Sequence, residues 1–90
     1  MKKIRLSKDA EKFLLKVPAK HRKQLAYKLH ELMHGVDPHD AQQLKGYTFK
    51  RIDVGEYRII FRFLDDMAEV PLIGKRNDDE IYKKLKRKLI

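Results

Sequence analysis

The sequence predicts an α+β fold in which an N-terminal strand and a helical hairpin pack on an antiparallel sheet, followed by a short C-terminal helix. Apolar residues recur at helical spacing up to residue 36, and then at every second position between residues 48 and 64. Helices followed by a meander of strands are typical of α+β proteins. Because 90 residues supply one modest core, residues 1–90 are predicted to form a single domain.

The first half of the chain is predicted to contain a strand and two helices. Residues 2–6 alternate apolar and basic side chains, as a short strand does. Ser7 is a suitable N-cap for a first helix, and Pro18 either ends that helix or opens the next. A second helix is predicted over residues 19–35, where Gly35 would end it. Its apolar stripe consists of Leu25, Leu29, Leu32 and Val36.

A β-hairpin is predicted in the second half. Its strands, residues 48–54 and 57–64, flank a Gly-Glu pair that has the composition of a two-residue turn. A turn of this length would place Asp53 opposite Arg58. Arg51 would then lie on the same face of the sheet as Arg58, because side chains alternate along a strand.

A third strand and a last helix complete the prediction. The strand covers residues 67–73, and Pro71 predicts that it is an edge strand or is broken there, since proline cannot donate to a ladder. The helix covers residues 78–89, with an apolar stripe formed by Ile81, Leu85 and Leu89. Helices are expected to cover one face of the sheet and to leave the other face available.

The charge balance favours a nucleic-acid partner. The chain has 22 Lys and Arg against 13 Asp and Glu, a net charge of +9, which is typical of nucleic-acid binders. A solubilising surface and an acidic protein partner remain open as alternatives. The chain has no cysteine and shows neither a secretory signal nor a membrane-spanning stretch, so a cytoplasmic location is expected.

No metal site, cofactor or nucleophilic triad is predicted. His30 and His34 lie four residues apart on a predicted helix, but no zinc motif accompanies them, and they are interpreted as surface histidines. Ser7, the single serine, is interpreted as a helix cap. The glycines are scattered and form no phosphate-binding loop.

Basic side chains on the predicted hairpin and beyond it are the remaining candidates for chemistry. Arg51, Arg58 and Arg62 share one strand face, Arg76 follows the third strand, and Tyr82 lies off the apolar stripe of the last helix. If they converge, they would hold an RNA phosphate and stack a base, or stabilise a pentacovalent phosphate. The alternative is a set of solvated positions with an ordinary cross-strand ion pair. Further RNA contacts are predicted at Lys45, Lys50, Arg62, Lys75, Lys83 and Lys84.

These residues lie in segments that resemble the RelE/ParE toxin superfamily. Residues 44–46, LKG, and residues 51–61, RIDVGEYRIIF, are similar to the core of the superfamily's sequence pattern. Residues 74–76, GKR, with Tyr82 six positions after Arg76, are similar to its end. The resemblance covers nearly the whole chain and implies the RelE-like fold.

The resemblance also implies a function and partners. It implies the toxin of a type II toxin–antitoxin system, a metal-independent endoribonuclease that enters the ribosomal A site, cuts the mRNA there and inhibits translation. The 2′-hydroxyl would attack the adjacent phosphate and leave a cyclic phosphate. The expected partners are a RelB-like antitoxin, the ribosome and mRNA. The ParE branch shares the fold and inhibits gyrase, so a ParE-like inhibitor or a catalytically inactive, protein-binding relative stays open.

The resemblance assigns roles to five positions. Arg58 would stabilise the phosphate charge, and Arg76 would do the same or protonate the leaving oxygen. Tyr82 would stack on or orient the nucleotide. Arg51 lies at the first of two basic strand positions, whereas the second position holds Asp53, where RelE-like enzymes often have a base. Asp53 is expected either to act as a proton acceptor or to pair with Arg58.

Overall fold

The structure, a computed structural model, describes residues 2–77 and 79–88. Its elements are β1 Lys3–Leu6, α1 Lys8–Lys16, α2 Ala19–Met33, β2 Gln42–Gln43, β3 Lys50–Val54, β4 Tyr57–Leu64, β5 Met67–Lys75 and α3 Glu80–Lys88. The strands form one sheet in the order β1-β5-β4-β3-β2. The predicted α+β fold is confirmed, with one difference: β1 pairs with β5 in parallel, so the sheet is mixed.

Two predicted helix boundaries are confirmed. The Ser7 hydroxyl accepts a hydrogen bond from the Ala10 amide and caps α1. Helix α2 ends before Gly35, whose φ of +77° suits a residue without a Cβ. The Val36 amide returns to the Glu31 carbonyl, so the chain turns away from the helix axis. Placing Val36 on the apolar stripe was therefore wrong: it lies past the helix end and is 46% exposed.

The larger apolar cluster lies between the helices α1 and α2 and one face of the sheet. The α2 stripe supplies its buried leucines, and alternate residues of β3, β4 and β5 supply the other side, as the period of two predicts. Its largest fully buried members are Phe61, Leu25, Leu32, Ile52, Ile59 and Val70.

A second apolar cluster covers the opposite face, which corrects the expectation of a free face. Ile60 and Leu72 point from the sheet into this cluster, and Ile81 and Leu85 of α3 pack on them. At Gly74 a Cβ would lie 3.2 Å from the Ile81 side chain, so glycine permits the close approach of α3. Leu89 of the predicted stripe and Asp78 at the predicted helix start lie outside the described residues.

Pro71 lies in an interior strand whose pairing is interrupted at this proline, so the first predicted alternative, an edge strand, is wrong. Strand β5 pairs with β1 on one side and with β4 on the other. The pairing with β1 ends at Val70, and the register with β4 shifts between Ile60 and Arg62. Proline is therefore accommodated where both ladders are interrupted. The Ser7 hydroxyl donates to the Pro71 carbonyl and so connects β5 to the start of α1.

None of the helices in the described part of the chain combines the length and the apolar character that a membrane span needs.

The Arg22 guanidinium ties the two N-terminal helices together. It donates to the carbonyls of Leu14, Leu15 and Val17, each at 2.9 Å, and thereby satisfies the end of α1. We expect Arg22→Ala to lower the free energy of unfolding by about 1–3 kcal/mol, because charged donors are lost to three carbonyls, and the hydrogen bonds to Leu14 and Val17 are partly buried. Urea unfolding measures this, with the exposed Lys23→Ala as the charge-matched control. An equal effect of both substitutions would contradict the prediction.

Candidate functional site

Four polar side chains meet on the sheet face that carries α3, and we call them the arginine cluster: Arg51, Asp53, Arg58 and Tyr82. Strand β3 presents Arg51 and Asp53 on one face, and β4 presents Arg58 directly opposite Asp53, which confirms the predicted register. Tyr82 follows the buried Ile81 on α3, so the docking of that helix carries its ring to the strands. Two strands and one helix therefore position the cluster.

The Tyr82 hydroxyl is held between two arginines. Its oxygen accepts a hydrogen bond from Arg51 Nη1 at 3.2 Å and another from Arg58 Nη1. The Arg58 guanidinium carbon also lies 5.8 Å from the centre of the Tyr82 ring. The phenol is thus fixed in the sheet surface with a cation on either side of its oxygen.

Asp53 forms a bidentate ion pair with Arg58. Arg58 Nε donates to Asp53 Oδ1 at 2.7 Å, and Nη2 donates to Oδ2 at 3.3 Å. The Arg58 side chain is only 11% exposed, whereas that of Asp53 is 42% exposed. The guanidinium is therefore held in place from two sides, and the carboxylate reaches solvent.

The ion pair sets the protonation of Asp53. The hydrogen bond from Arg58 holds the pKa of the Asp53 carboxyl below its usual value of 3.8. The charges of Arg51 and Arg76 lower this pKa further. Because the folded-state pKa is depressed, the pair stabilises the fold at neutral pH, and this contribution is lost only as the pH falls through the lowered pKa.

Arg76 lies beside the arginine cluster and is exposed. Its backbone amide donates to the Glu56 carbonyl at 3.0 Å, just after β5 ends. Gly74, two residues earlier, lies opposite Arg58, so the chain delivers Arg76 to the same end of the sheet. The positive charge of Arg76 helps to lower the pKa of the Asp53 carboxyl, after the larger effect of Arg58. The site thus brings three guanidinium groups near one carboxylate.

Comparison with known proteins identifies the fold. No family model and no curated protein sequence matches the chain. The isolated E. coli RelE toxin is similar in structure over 100% of both chains, with 21% identity and a TM-score of 0.74. A mutant of E. coli RelE in the free state reaches a TM-score of 0.81 at 19% identity, over 99% of this chain and 98% of that one.

The chain has the RelE toxin fold. The toxin–antitoxin complex RelB-RelE from Methanococcus jannaschii is also similar, with 26% identity and a TM-score of 0.69, over 88% of this chain and 95% of the other. The predicted RelE-like fold is therefore confirmed.

Two of the predicted RNA-contacting residues are engaged elsewhere in this RelE fold. Arg62 donates to Glu69 and to Thr48 Oγ1, each at 2.9 Å, and stacks over the Phe49 ring. Lys50 pairs with Asp37 at 2.9 Å. It also lies opposite Phe61, whose side chain belongs to the larger apolar cluster, so Lys50 and the arginine cluster lie on opposite faces of the sheet.

The other four predicted RNA contacts are exposed: Lys45, Lys75, Lys83 and Lys84. Lys75 lies opposite Tyr57 at the end of β5, and Lys83 pairs with Glu80 at 3.5 Å on the surface of α3. Lys84 lines a cleft together with Phe13 of α1. The structure does not gather these lysines into the arginine cluster, and their contact with RNA stays a prediction.

Gln42 is a member of the site that the sequence did not indicate. Its Oε1 accepts a hydrogen bond from Arg51 Nη2 at 2.5 Å and so holds the outer side of that guanidinium. Gln42 belongs to β2, which pairs it with Arg51. A strand of two residues carries no periodicity, so the sequence contained no signal for it.

The histidine pair at the C-terminal end of α2 is adjacent in space but joins no larger metal-ligating group among the described residues. The Nε2 atoms of His30 and His34 are 3.2 Å apart, on exposed side chains. Within residues 2–77 and 79–88, no group of three or more His, Asp or Glu side chains could hold a metal ion. The expectation of a reaction without metal stays a prediction.

Proposed function

We propose that this protein is the toxin of a type II toxin–antitoxin system, and that it inhibits translation by cutting mRNA in the ribosomal A site without a metal ion. The observation that supports this most is the convergence of Arg51 and Arg58 on the Tyr82 hydroxyl, on the sheet of a RelE fold. Such a surface suits an RNA phosphate, because guanidinium groups bind phosphate oxygens through paired N–H donors.

The proposed reaction is an internal transfer of the phosphate. The ribose 2′-oxygen attacks phosphorus, the bond to the 5′-oxygen breaks, and a 2′,3′-cyclic phosphate remains. Negative charge accumulates on the phosphate oxygens in the transition state. Arg58, whose guanidinium is nearly enclosed, is fixed in advance to stabilise that charge, and the exposed Arg76 approaches the same phosphate from solvent. Tyr82 orients the nucleotide.

The proposed protein partner is a RelB-like antitoxin. Several structures similar to this chain are complexes of RelE with the antitoxin RelB. A net charge of +9 supports binding to a more acidic protein. We propose that the antitoxin lays an amphipathic helix on this chain near α3, whose buried side chains among the described residues are Ile81 and Leu85.

Primer extension on mRNA bound to programmed ribosomes tests the proposed activity. The wild-type protein is expected to cut within the A-site codon and to leave the same mRNA intact in the absence of ribosomes. Cuts on free mRNA at the same rate would contradict dependence on the ribosome. Absence of any cut would contradict the nuclease function.

A second candidate function is binding to a protein target without catalysis. It is favoured by one observation, the Asp53–Arg58 pair, which partly neutralises the arginine that the reaction needs. A ParE-like inhibitor would block supercoiling of relaxed plasmid by gyrase and would leave the ribosome-bound mRNA uncut. Running both assays on one preparation separates the two functions.

A further inference from the structure

Cleavage through the 2′-hydroxyl needs a proton acceptor, and the arginine cluster offers few. A guanidinium group does not give up its proton in proteins and has no acceptor site, so neither arginine of the cluster can receive a proton. The Tyr82 oxygen already accepts hydrogen bonds from both arginines. The one carboxylate of the cluster is Asp53, and its side chain reaches solvent. It is therefore the group of the cluster best able to receive a proton from a bound ribose.

The two sides of the Arg58 guanidinium contact different chemical groups. Nε and Nη2, which form one edge, donate to the Asp53 carboxylate. Nη1, on the other side of the guanidinium, donates to the Tyr82 hydroxyl. Arg58 thus lies between the Asp53 carboxylate, which can accept a proton, and the Tyr82 hydroxyl, which can donate one. No acceptor for the Tyr82 proton is present among the described residues.

An in-line phosphate transfer needs a proton acceptor and a proton donor on different sides of the phosphate. The attacking 2′-oxygen and the leaving 5′-oxygen lie on opposite sides of phosphorus, so the proton acceptor and the proton donor must also be on opposite sides. Arg58 has five N–H donors, of which three are used in the cluster. The remaining donors can hold a phosphate between the carboxylate and the phenol.

We infer that Asp53 accepts the proton of the ribose 2′-hydroxyl and that the Tyr82 hydroxyl donates a proton to the leaving 5′-oxygen. The 2′-oxygen forms its bond to phosphorus as its proton moves to the Asp53 carboxylate. The bond from phosphorus to the 5′-oxygen breaks, and that oxygen takes the Tyr82 proton, which solvent later restores. This inference rests on the proposed nuclease function.

The positive charges around Asp53 keep its carboxylate ionised and weaken it as a base. The groups that act on it are Arg58 from β4, Arg51 from its own strand and Arg76 after β5, while Tyr82 of α3 contacts the same guanidinium. The lowered pKa keeps the carboxylate ionised at neutral pH. A bound phosphate brings negative charge next to Asp53 and shares the positive charge of Arg58, which raises the proton affinity of Asp53 as the substrate binds.

Single-turnover cleavage on programmed ribosomes tests the role of Asp53. We expect Asp53→Asn to slow cleavage by about 10²–10⁴-fold, the usual contribution of a positioned proton acceptor. Ribosome binding should not weaken, since the substitution removes a negative charge, and Asp53→Glu should recover part of the rate. Asp66→Asn, the same charge change at the far end of the β4–β5 hairpin, should cleave normally. Cleavage by Asp53→Asn at or above the wild-type rate would overturn the inference and make Asp53 a competitor of RNA for Arg58.

The pH profile provides an independent readout. An acceptor that stays ionised predicts a cleavage rate that is flat between about pH 6 and pH 8. A phenol acting as the acceptor would instead make the rate rise with pH over this range, because tyrosine ordinarily ionises near pH ~10. A tenfold rise per pH unit in the wild-type protein would overturn the assignment.

An RNA with sulfur in place of the 5′-oxygen at the cleaved bond separates the two roles. A thiolate leaves without being protonated, so this substrate should restore the rate of Tyr82→Phe and should not restore that of Asp53→Asn. Rescue of Asp53→Asn, or no rescue of Tyr82→Phe, would overturn the assignment. Absence of cleavage by the wild-type protein would instead remove the proposed function itself. The two failures are therefore distinguishable.

Discussion

Arg58→Ala is expected to slow the single-turnover cleavage of ribosome-bound mRNA by about 10²–10³-fold, the usual loss when one preorganised donor to a developing oxyanion is removed. The Arg58 side chain is 11% exposed, so little water is available to replace it. Its removal also leaves Asp53 without its main counterion and Tyr82 without one of two hydrogen bonds. Primer extension with rapid quenching measures the rate.

The control for this prediction is Arg5→Ala. Arg5 carries the same charge, is exposed, and lies on β1, at the opposite edge of the sheet from β3 and β2. It should cleave at nearly the wild-type rate if the position of the guanidinium matters rather than the total charge. Equal losses in both variants would instead indicate that general attraction to RNA explains the effect, which stronger salt dependence would accompany.

Leu85→Ala is expected to detach α3 while most of the protein stays folded. Leu85 is fully buried, and its truncation should cost about 2–5 kcal/mol, the range for leucine in a packed core. Among the described residues, α3 contributes two buried side chains, Ile81 and Leu85, to the second cluster, with partial packing of Tyr82. The Lys88–Asp9 ion pair that also holds α3 is partly exposed and contributes little. The lost packing energy is therefore expected to weaken the docking of α3 more than the rest of the fold. Tyr82 then leaves the arginines, and cleavage should fall with it.

Hydrogen exchange resolved along the chain measures this effect. The amides of α3 should lose protection in Leu85→Ala, whereas those of β4 and β5 should keep it. Leu29→Ala is the matched control, because Leu29 is a buried leucine of the larger cluster. It should lower protection throughout the chain and leave the folded fraction active. Retained protection of α3 in Leu85→Ala would contradict the prediction.

Much of the local structure was predictable because it depends on neighbouring residues. The hairpin register followed from a two-residue turn, which leaves one pairing for the strands and so placed Asp53 opposite Arg58. The end of α2 followed from Gly35, since a left-handed residue ends a helix wherever it stands. Ser7 was equally local, because its hydroxyl caps the turn that immediately follows it.

Features that depend on distant residues were not predictable. The parallel pairing of β1 with β5 joins segments more than sixty positions apart, and no local pattern encodes it. That pairing explains why a strand containing Pro71 lies inside the sheet. The engagement of Arg62 by Glu69 depends on a register shift in the same region. Strand β2, which contains Gln42, forms by pairing with the edge of β3, and residues 42–43 alone carry no pattern that predicts it.

The sequence by itself determined the fold class, the hairpin register and the residue types of the site, because periodicity, turn composition and motif spacing are local properties of the chain. Only the tertiary structure decided which of those residues meet. It joined Arg51, Asp53, Arg58 and Tyr82, added Gln42, and bound Arg62 and Lys50 to other partners. The physical reason is that a charged side chain takes the partner that folding brings within hydrogen-bond distance. Because α3 packs on the sheet through the second apolar cluster, Tyr82 lies within hydrogen-bond distance of the arginines.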